Sequence, residues 1–572
     1  MVLGSLTSRV TGFLRSAVVV AALGTGLGGD AYAVANTLPN IVFMLLLGGA
    51  LNSVFVSELV RAARHSDGGA VFTDRLVTAC LASVLVLSVA AVVAAPWLVD
   101  LYAPMFTGSQ RGTTVVLARY CLPQIFFYGV FAALGQVLNA REQFGAMMWA
   151  PVVNNLVVSG VFGLYLAFAS HADGPVELSS GQAVWLGAGS TVGIVVQALV
   201  LLPSLRRSGY QWRPRFDWRN AGLARPLRAA GWALLLVAVG QAAFWAVTVL
   251  ATGVSEHAAA DGLSAGAGLT AYNSAYQLWV VPQGIITVSL ATAALPSLTR
   301  AAQAGDHAAL ANSLARTVRT PAGIIVLAAM IFLVLSEQLA NLAYGYGTVT
   351  QQDVQVLGQV LAAFALGLPA FCIQYTLTRA FYALGDARAP VLLAVLTSGT
   401  NIALSTAAVH TLPTRWAVAG MAGAHTLACL AGAAATATVL RRRIRPRAAA
   451  QPPGGGPPSF GTHPTASDGL TQLSAHARAA VACLPGAAAA FFLTNRASDY
   501  LGDGAVGSVT AVAVGSTLMT LSLLLLARPL RIGDSVTAPF RLVLHRVPKL
   551  PTRTTAGHTA VPRHGGTHRR HH

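Results

Sequence analysis

Fourteen apolar runs, each close to the length of a membrane-crossing helix, succeed one another along most of this chain. They lie at about 3–23, 31–59, 76–99, 116–138, 147–169, 182–204, 229–252, 269–297, 320–342, 354–381, 389–410, 415–440, 479–494 and 505–527. A bilayer core needs about 20 apolar residues per helix. Inside it every backbone N–H and C=O must be paired within the protein, which leaves only helices and closed barrels. The runs are continuous rather than alternating at period two, so a β-barrel is excluded. Only 10% of the 572 residues are charged, against about 25% in a soluble domain. The expected fold is an all-α polytopic membrane protein of about 14 transmembrane helices.

The basic residues set the expected orientation. Of the 37 Lys and Arg residues, 31 fall in the loops after even-numbered runs and in the tail from Arg528 onward, and four fall on the opposite side. Basic residues collect in cytoplasmic loops, so both termini are expected in the cytoplasm. The same rule accounts for the net charge of +18 without a nucleic-acid partner. Five cysteines lie singly in apolar stretches, with neither the pairing nor the spacing of a metal site; packing is their expected role.

A constant offset of 246 residues matches Leu122-Pro123 with Leu368-Pro369, Leu138 with Leu384, and Asn155 with Asn401. A second echo links Ala31–Asn40 with Ala271–Gly284. Together they pair runs one to six with seven to twelve in the same direction, as in transporters built from parallel repeats. The expected organisation is an N-lobe at 1–205, a basic cytoplasmic loop at 206–228 and a C-lobe at 229–440, with a central cavity between the lobes. A Pro, Gly and Ser-rich segment at 441–478 reads as a disordered cytoplasmic linker. Two further helices at 479–527 and a basic cytoplasmic tail at 528–572 complete the chain. Pro39, Pro123, Pro282 and Pro369 fall inside runs, where proline bends a helix; each is a candidate hinge or a fixed kink.

The first run contains Arg9 and Arg15. An arginine at the bilayer centre costs about 2.5–3.5 kcal/mol on insertion scales. Arg15 lies about 18 Å along the helix from Leu3 at 1.5 Å per residue, too deep to reach the interface easily. Six residues apart, the two arginines are about 120° apart around the helix, so they line a wide cavity or none. A guanidinium is always charged and binds phosphate oxygens through a planar fork. Asp30, Asn40, Asn154, Asn155 and Gln277 are further candidates for a substrate-facing surface. Capping, for Asp30, and interhelical hydrogen bonds, for the amides, are the alternative uses. Gln241 and Asn401 are neutral candidates for ion coupling.

SRVTGFLR (8–15), GGDAYAVANTLPN (28–40), LGQVLNAREQFGAMMWAPVVNNL (134–156) and RAFYALGDARAPV (379–391) together resemble the MurJ (MviN) family of lipid II flippases. That family belongs to the multidrug/oligosaccharidyl-lipid/polysaccharide exporter superfamily. The resemblance implies a transporter that moves undecaprenyl-diphosphate-linked peptidoglycan precursor from the inner to the outer leaflet of the bacterial cytoplasmic membrane by alternating access. It also implies that Arg9 and Arg15 line the cavity and contact the diphosphate, that Asp30 matches the family's aspartate before the second span, and that the last two helices form a groove for the polyprenyl tail. The chain departs from the family where Ile41 to Met44 replace a cavity arginine and where Gln277 stands in place of another.

No GxxxxGK[ST] phosphate loop occurs, so nucleotide hydrolysis is not expected. The membrane potential or a monovalent cation is the expected energy source, with no bound cofactor or metal. The partners expected are lipid II, membrane lipids and, through the tail, cell-wall synthesis or division proteins. Other readings of the residues are a flippase for another polyprenyl-linked oligosaccharide, a polytopic glycosyltransferase, and a non-transporting cell-wall scaffold. The basic asymmetry predicts that single cysteines placed in 441–478 or after Arg528 resist impermeant thiol reagents in intact cells. Labelling from outside at either place would overturn the assigned orientation.

Overall fold

The computed structural model describes residues 2–46, 70–168, 178–217, 231–263, 266–444, 467–501, 504–530 and 532. The elements among them are helices. Apart from three short ones at Ala95–Tyr102, Leu202–Arg207 and Ser336–Tyr344, they are in chain order α1 (Val2–Leu23), α2 (Leu27–Leu46), α3 (Ala70–Val93), α4 (Gly108–Cys121 and Gln124–Ala140), α5 (Gly145–Phe168), α6 (Ser180–Leu199) and α7 (Gly231–Ala260). There follow α8 (Leu269–Pro282 and Val288–Gln303, joined by a π-helical turn at Gln283–Thr287), α9 (His307–Arg319 and Ala322–Val334) and α10 (Gln351–Ala365 and Leu368–Ala383). The series ends with α11 (Arg388–Thr411), α12 (Thr414–Ile444), α13 (Ser467–Leu501) and α14 (Ala505–Ala527).

Local chemistry sets several boundaries. Ser179 and Gln182 form a reciprocal capping box at the start of α6, and Thr350 and Asp353 form one at the start of α10, each satisfying N–H groups that a helix start leaves unpaired. Three of the four expected prolines coincide with irregularities. Pro123 lies at the break in α4 and Pro369 in the first turn after the break in α10, whose halves meet at 47°. The two Leu-Pro pairs of the internal echo therefore mark equivalent breaks. Pro282 immediately precedes the π turn, where its missing N–H removes one helical hydrogen bond. Pro39 is buried within α2.

Among the described residues, eleven helices are long and apolar enough to cross a membrane, or twelve when the bent pair of α10 is taken as one. That count covers neither α1, which carries Arg9 and Arg15, nor α2, which carries Asp30, Asn36 and Asn40, and it stands below the expected fourteen by these two helices. The expected disordered linker at 441–478 also needs correction. Helix α12 continues to Ile444 and α13 begins at Ser467, because the Gly and Pro-rich stretch ends before LTQLSAHARAA restores helical composition. The middle of that linker, residues 218–228 of the basic loop and the His-rich tail lie outside the described residues.

In the first half, α1 packs on α5, α5 on α6, α2 and α6 on the first part of α4, and α3 on the second part. In the second half, α7 packs on α11, α11 on α12, and α12 on both parts of α10, while the first part of α8 packs on α10. One apolar core joins the halves, with Leu23, Ala31, Val34 and Leu38 beside Val247, Ala251, Val254 and Trp279. Helices α13 and α14 pair with each other and attach to α9, burying Val326, Met330 and Leu335 against Ala482, Cys483, Met519 and Leu523. All five cysteines are free thiols and four are buried, as expected of packing residues.

The α13–α14 contact depends on Gly486, where a Cβ would lie 2.6 Å from the Leu518 carbonyl oxygen and 2.7 Å from Met519 Cα. Backbone atoms of a packed helix have little room to retreat, and overpacking of this kind costs about 1–3 kcal/mol. Gly486→Val should therefore lower the thermal midpoint of the purified protein, whereas Val481→Ala, at an exposed position of the same helix, should leave it nearly unchanged.

Candidate functional site

Helix α1 turns different faces to the two halves of the molecule. Toward the first half, Asn155 Nδ2 on α5 donates to the Ser8 carbonyl at 3.2 Å and to Thr11 Oγ1 at 3.1 Å. Toward the second half, the Phe13 ring lies 5.9 Å from that of Tyr344. Arg9, four residues before Phe13 and so on the same face, has its guanidinium beside Gly284 in the π turn of α8. Arg15 points elsewhere around α1, near Tyr32 of α2 and Tyr128 of α4. Arg9 is exposed and Arg15 half-buried.

Neither arginine has a carboxylate partner among the described residues. The ion pairs there, Arg75–Asp217, Arg111–Asp100 and Arg443–Asp386, involve other arginines. Arg111 binds Asp100 through two hydrogen bonds, 2.6 and 2.9 Å, and holds its carboxyl below the usual carboxylate range. A guanidinium without such a partner keeps its donors for an external anion.

Asp30 is placed differently. It is fully buried, and its carboxylate accepts from Ser255 Oγ of α7 at 2.5 Å and from the Leu269 and Thr270 N–H groups of α8 at 2.9 and 2.6 Å. It caps the first turn of α8 from another helix, where the helix dipole favours a negative charge. A second buried carboxylate, Asp353 in the first turn of α10, repeats the pattern. It accepts from Thr25 Oγ1 and the Gly266 N–H at 2.7 Å each, and from the Thr350 N–H and Oγ1 at 2.8 and 2.7 Å. The Thr348 N–H adds a bond to the Ala21 carbonyl at 2.9 Å. The turn between α1 and α2 is thereby fastened to the second half of the molecule. Asp353 was not singled out from sequence, although T-x-x-D at 350–353 is a legible capping pattern.

The remaining candidates are dispersed. Asn40 and Gln277 are exposed, Asn155 serves α1, and Asn154 is buried with its Oδ1 against Gly193 of α6. Gln241 is half-buried in α7. Asn401 is buried and accepts from Ser405 Oγ of its own helix at 3.4 Å. Among the described residues no group of His, Cys, Asp or Glu could hold a metal ion. Tyr32 bonds Ser190 of α6 at 2.9 Å, a contact with no sequence signal because both residue types are common in apolar helices.

The Asp30 geometry predicts a graded response. Asp30→Ala leaves two buried N–H groups and a hydroxyl unpaired, at about 1–3 kcal/mol for each unsatisfied group, whereas Asp30→Asn keeps an acceptor oxygen. The thermal midpoint of the purified protein should fall further for Ala than for Asn. Equal falls would refute the capping role.

Comparison with known proteins agrees with this architecture. The family model described as "Lipid II flippase MurJ" matches residues 19–490, a range that begins just beyond Arg15. The chain is 29% identical over 411 residues to the probable lipid II flippase MurJ of Rhizobium meliloti (strain 1021), covering 70% of this chain and 72% of the relative. It is 27% identical over 404 residues to the lipid II flippase MurJ of Burkholderia cenocepacia, covering 68% and 73%. A solved lipid II flippase MurJ in an inward closed conformation shares the fold, with a TM-score of 0.69 at 16% identity over 93% of this chain and 100% of that one. An inward-facing MATE family transporter of the MOP superfamily shares it at a TM-score of 0.61 and 16% identity, covering 76% and 94%. The chain belongs to the lipid II flippase MurJ family.

Proposed function

We propose that this chain moves lipid II from the inner to the outer leaflet of the bacterial cytoplasmic membrane by alternating access. The observation that carries the reading is the placement of Arg9 and Arg15. Two permanently charged groups sit on one costly helix, one turned to each half of the molecule, and neither has a carboxylate partner among the described residues. A diphosphate between the halves would receive fork-shaped donors from both sides. Residues 1–205 and 229–440 act as the two lobes, α13 and α14 hold the polyprenyl tail, and the exposed Asn40 and Gln277 add polar surface for the headgroup. Counting α1 and α2 with the apolar helices gives fourteen crossings with both termini in the cytoplasm. The fastened turn between α1 and α2 is then the outward end, so this conformation is closed to the outside.

A drug exporter for cations would carry cavity carboxylates, whereas Asp30 and Asp353 are both consumed by hydrogen bonds within the protein. Depleting the protein should cause lipid II to accumulate in the inner leaflet, and an unchanged leaflet distribution would refute the reading. Arg15→Ala should abolish flipping while leaving insertion intact, and Arg15→Lys should restore only part, because an ammonium is a point charge without the fork. Full complementation by Arg15→Ala at native expression would remove Arg15 from the site.

The energy source follows from the same charges. With the carrier empty, Arg9 and Arg15 leave a net positive centre, and a diphosphate largely neutralises it. One charge moved across the whole field is worth about 2.3 kcal/mol per 100 mV, so an inside-negative potential draws the empty carrier back toward the cytoplasmic side. Flipping in vesicles should depend on an imposed potential. Dependence on a sodium gradient alone at zero potential would overturn this account.

A further inference from the structure

Gly284 has no conformational reason to be glycine. It lies inside α8, outside the set of glycines with positive φ, and a glycine inside a helix is unfavourable relative to alanine. It is half-buried, and the atoms nearest to where its Cβ would stand all belong to one side chain from the other half of the molecule. The Cβ would fall on Arg9 Nη1, and would lie 3.4 Å from Cζ and 3.7 Å from Nη2. The missing side chain is thus the space that the guanidinium fills. The seat is also in a π turn directly after Pro282, a departure from the α-helix of the kind that accumulates at functional sites.

We infer that Gly284 is a positioning residue: it seats the Arg9 guanidinium against α8 and so fixes where this cation stands between the two halves. Arg9 makes no hydrogen bond to another described residue, and the seat is steric. Arg9 is otherwise exposed, so α8 limits its side chain on one side while its N–H donors remain available. Such an arrangement lowers the ordering cost of binding an anion, because the long arginine side chain is already restricted on that side before the ligand arrives. Arg15 stands about 120° away around α1, near Tyr32 and Tyr128, so the seat bears on the separation of the two cations that would grip one diphosphate.

The ligand part of this inference rests on the proposed function, whereas the seat itself does not, and the test separates them. Undecaprenyl diphosphate binding to the purified full-length protein is measured for Gly284→Ala, for Arg9→Ala and for the double variant. Gly284→Ala should weaken binding about tenfold in the Arg9 chain and leave it unchanged in the Arg9→Ala chain, since a residue acting through Arg9 has nothing left to position. Its thermal midpoint should be unchanged or raised, because alanine favours the helix; lowered affinity without lowered stability distinguishes positioning from damage. The same loss in both backgrounds, or no loss in either, would overturn the role of Gly284. In a cysteine-free chain carrying Arg9→Cys and Gly284→Cys, a short bifunctional thiol reagent should bridge the two positions without any ligand. Failure to bridge would overturn the seat, whereas a bridge in a protein whose unmutated form does not bind undecaprenyl diphosphate would retain the seat and overturn the flippase reading.

Discussion

Two buried carboxylates hold the halves of this molecule together at one end. Asp30 and Asp353 are each brought out of water, which is prohibitive for an isolated charge, and each is surrounded by donors from elements distant in sequence. The donors are mainly backbone N–H groups at or before the start of α8 and at the start of α10, where the first turns of helices leave them unpaired. Carboxylate and helix start therefore satisfy each other. The small residues nearby follow from the closeness this demands. A Cβ on Gly268 would collide with the Asp30 carboxylate and the Ser255 hydroxyl, and one on Gly266 with the backbone at Thr25. Any movement that separates the halves at this end must rehydrate or re-pair both carboxylates together.

That fastening determines what the rest of α1 can do. Its last turn is anchored through the Ala21 carbonyl to Thr348 and its first half to α5 through Asn155. The helix is thus attached to both halves, with its two arginines in the stretch between the attachments. Phe13 against Tyr344, whose hydroxyl donates to the Ser274 carbonyl at 3.1 Å, keeps the Arg9 face turned toward α8. The costly charges occupy a helix whose orientation is fixed from both sides, which is where a charge must be placed if it is to meet a ligand at a defined position.

The fold was legible because membrane spanning is a constraint on composition. Length and apolarity located most helices, and the Leu-Pro echo located the equivalent breaks in α4 and α10. Boundaries were less legible where polar and apolar segments merge. The first part of α9, His307–Arg319, is amphipathic and continues into the apolar run, and α13 starts in a segment whose composition resembled a linker. The site was legible only in its charges, since Arg9 and Arg15 announce themselves by their cost in lipid. Their surroundings were not: the role of Asp30 depends on residues 225 to 240 positions away, and Gly284 is one of 56 glycines, distinguished only by what stands against it.

The distribution of charge also bears on how a cycle would be driven. At the polar positions deep in the second half, Asn401 is engaged with Ser405, and Gln374 Nε2 donates to Thr397 Oγ1 at 2.9 Å; these are neutral groups occupied with one another. The negative charges of the central helices are concentrated in the fastening at one end, while the positive charges of α1 lie further along the same helix and are unpaired among the described residues. An electric field across the membrane acts on the unpaired charges most directly, because paired and hydrogen-bonded carboxylates move only when the fastening itself opens. On the proposed flippase reading, the ligand supplies the missing negative charge. Loading then changes the response of the carrier to the field at the step where its direction of opening must change.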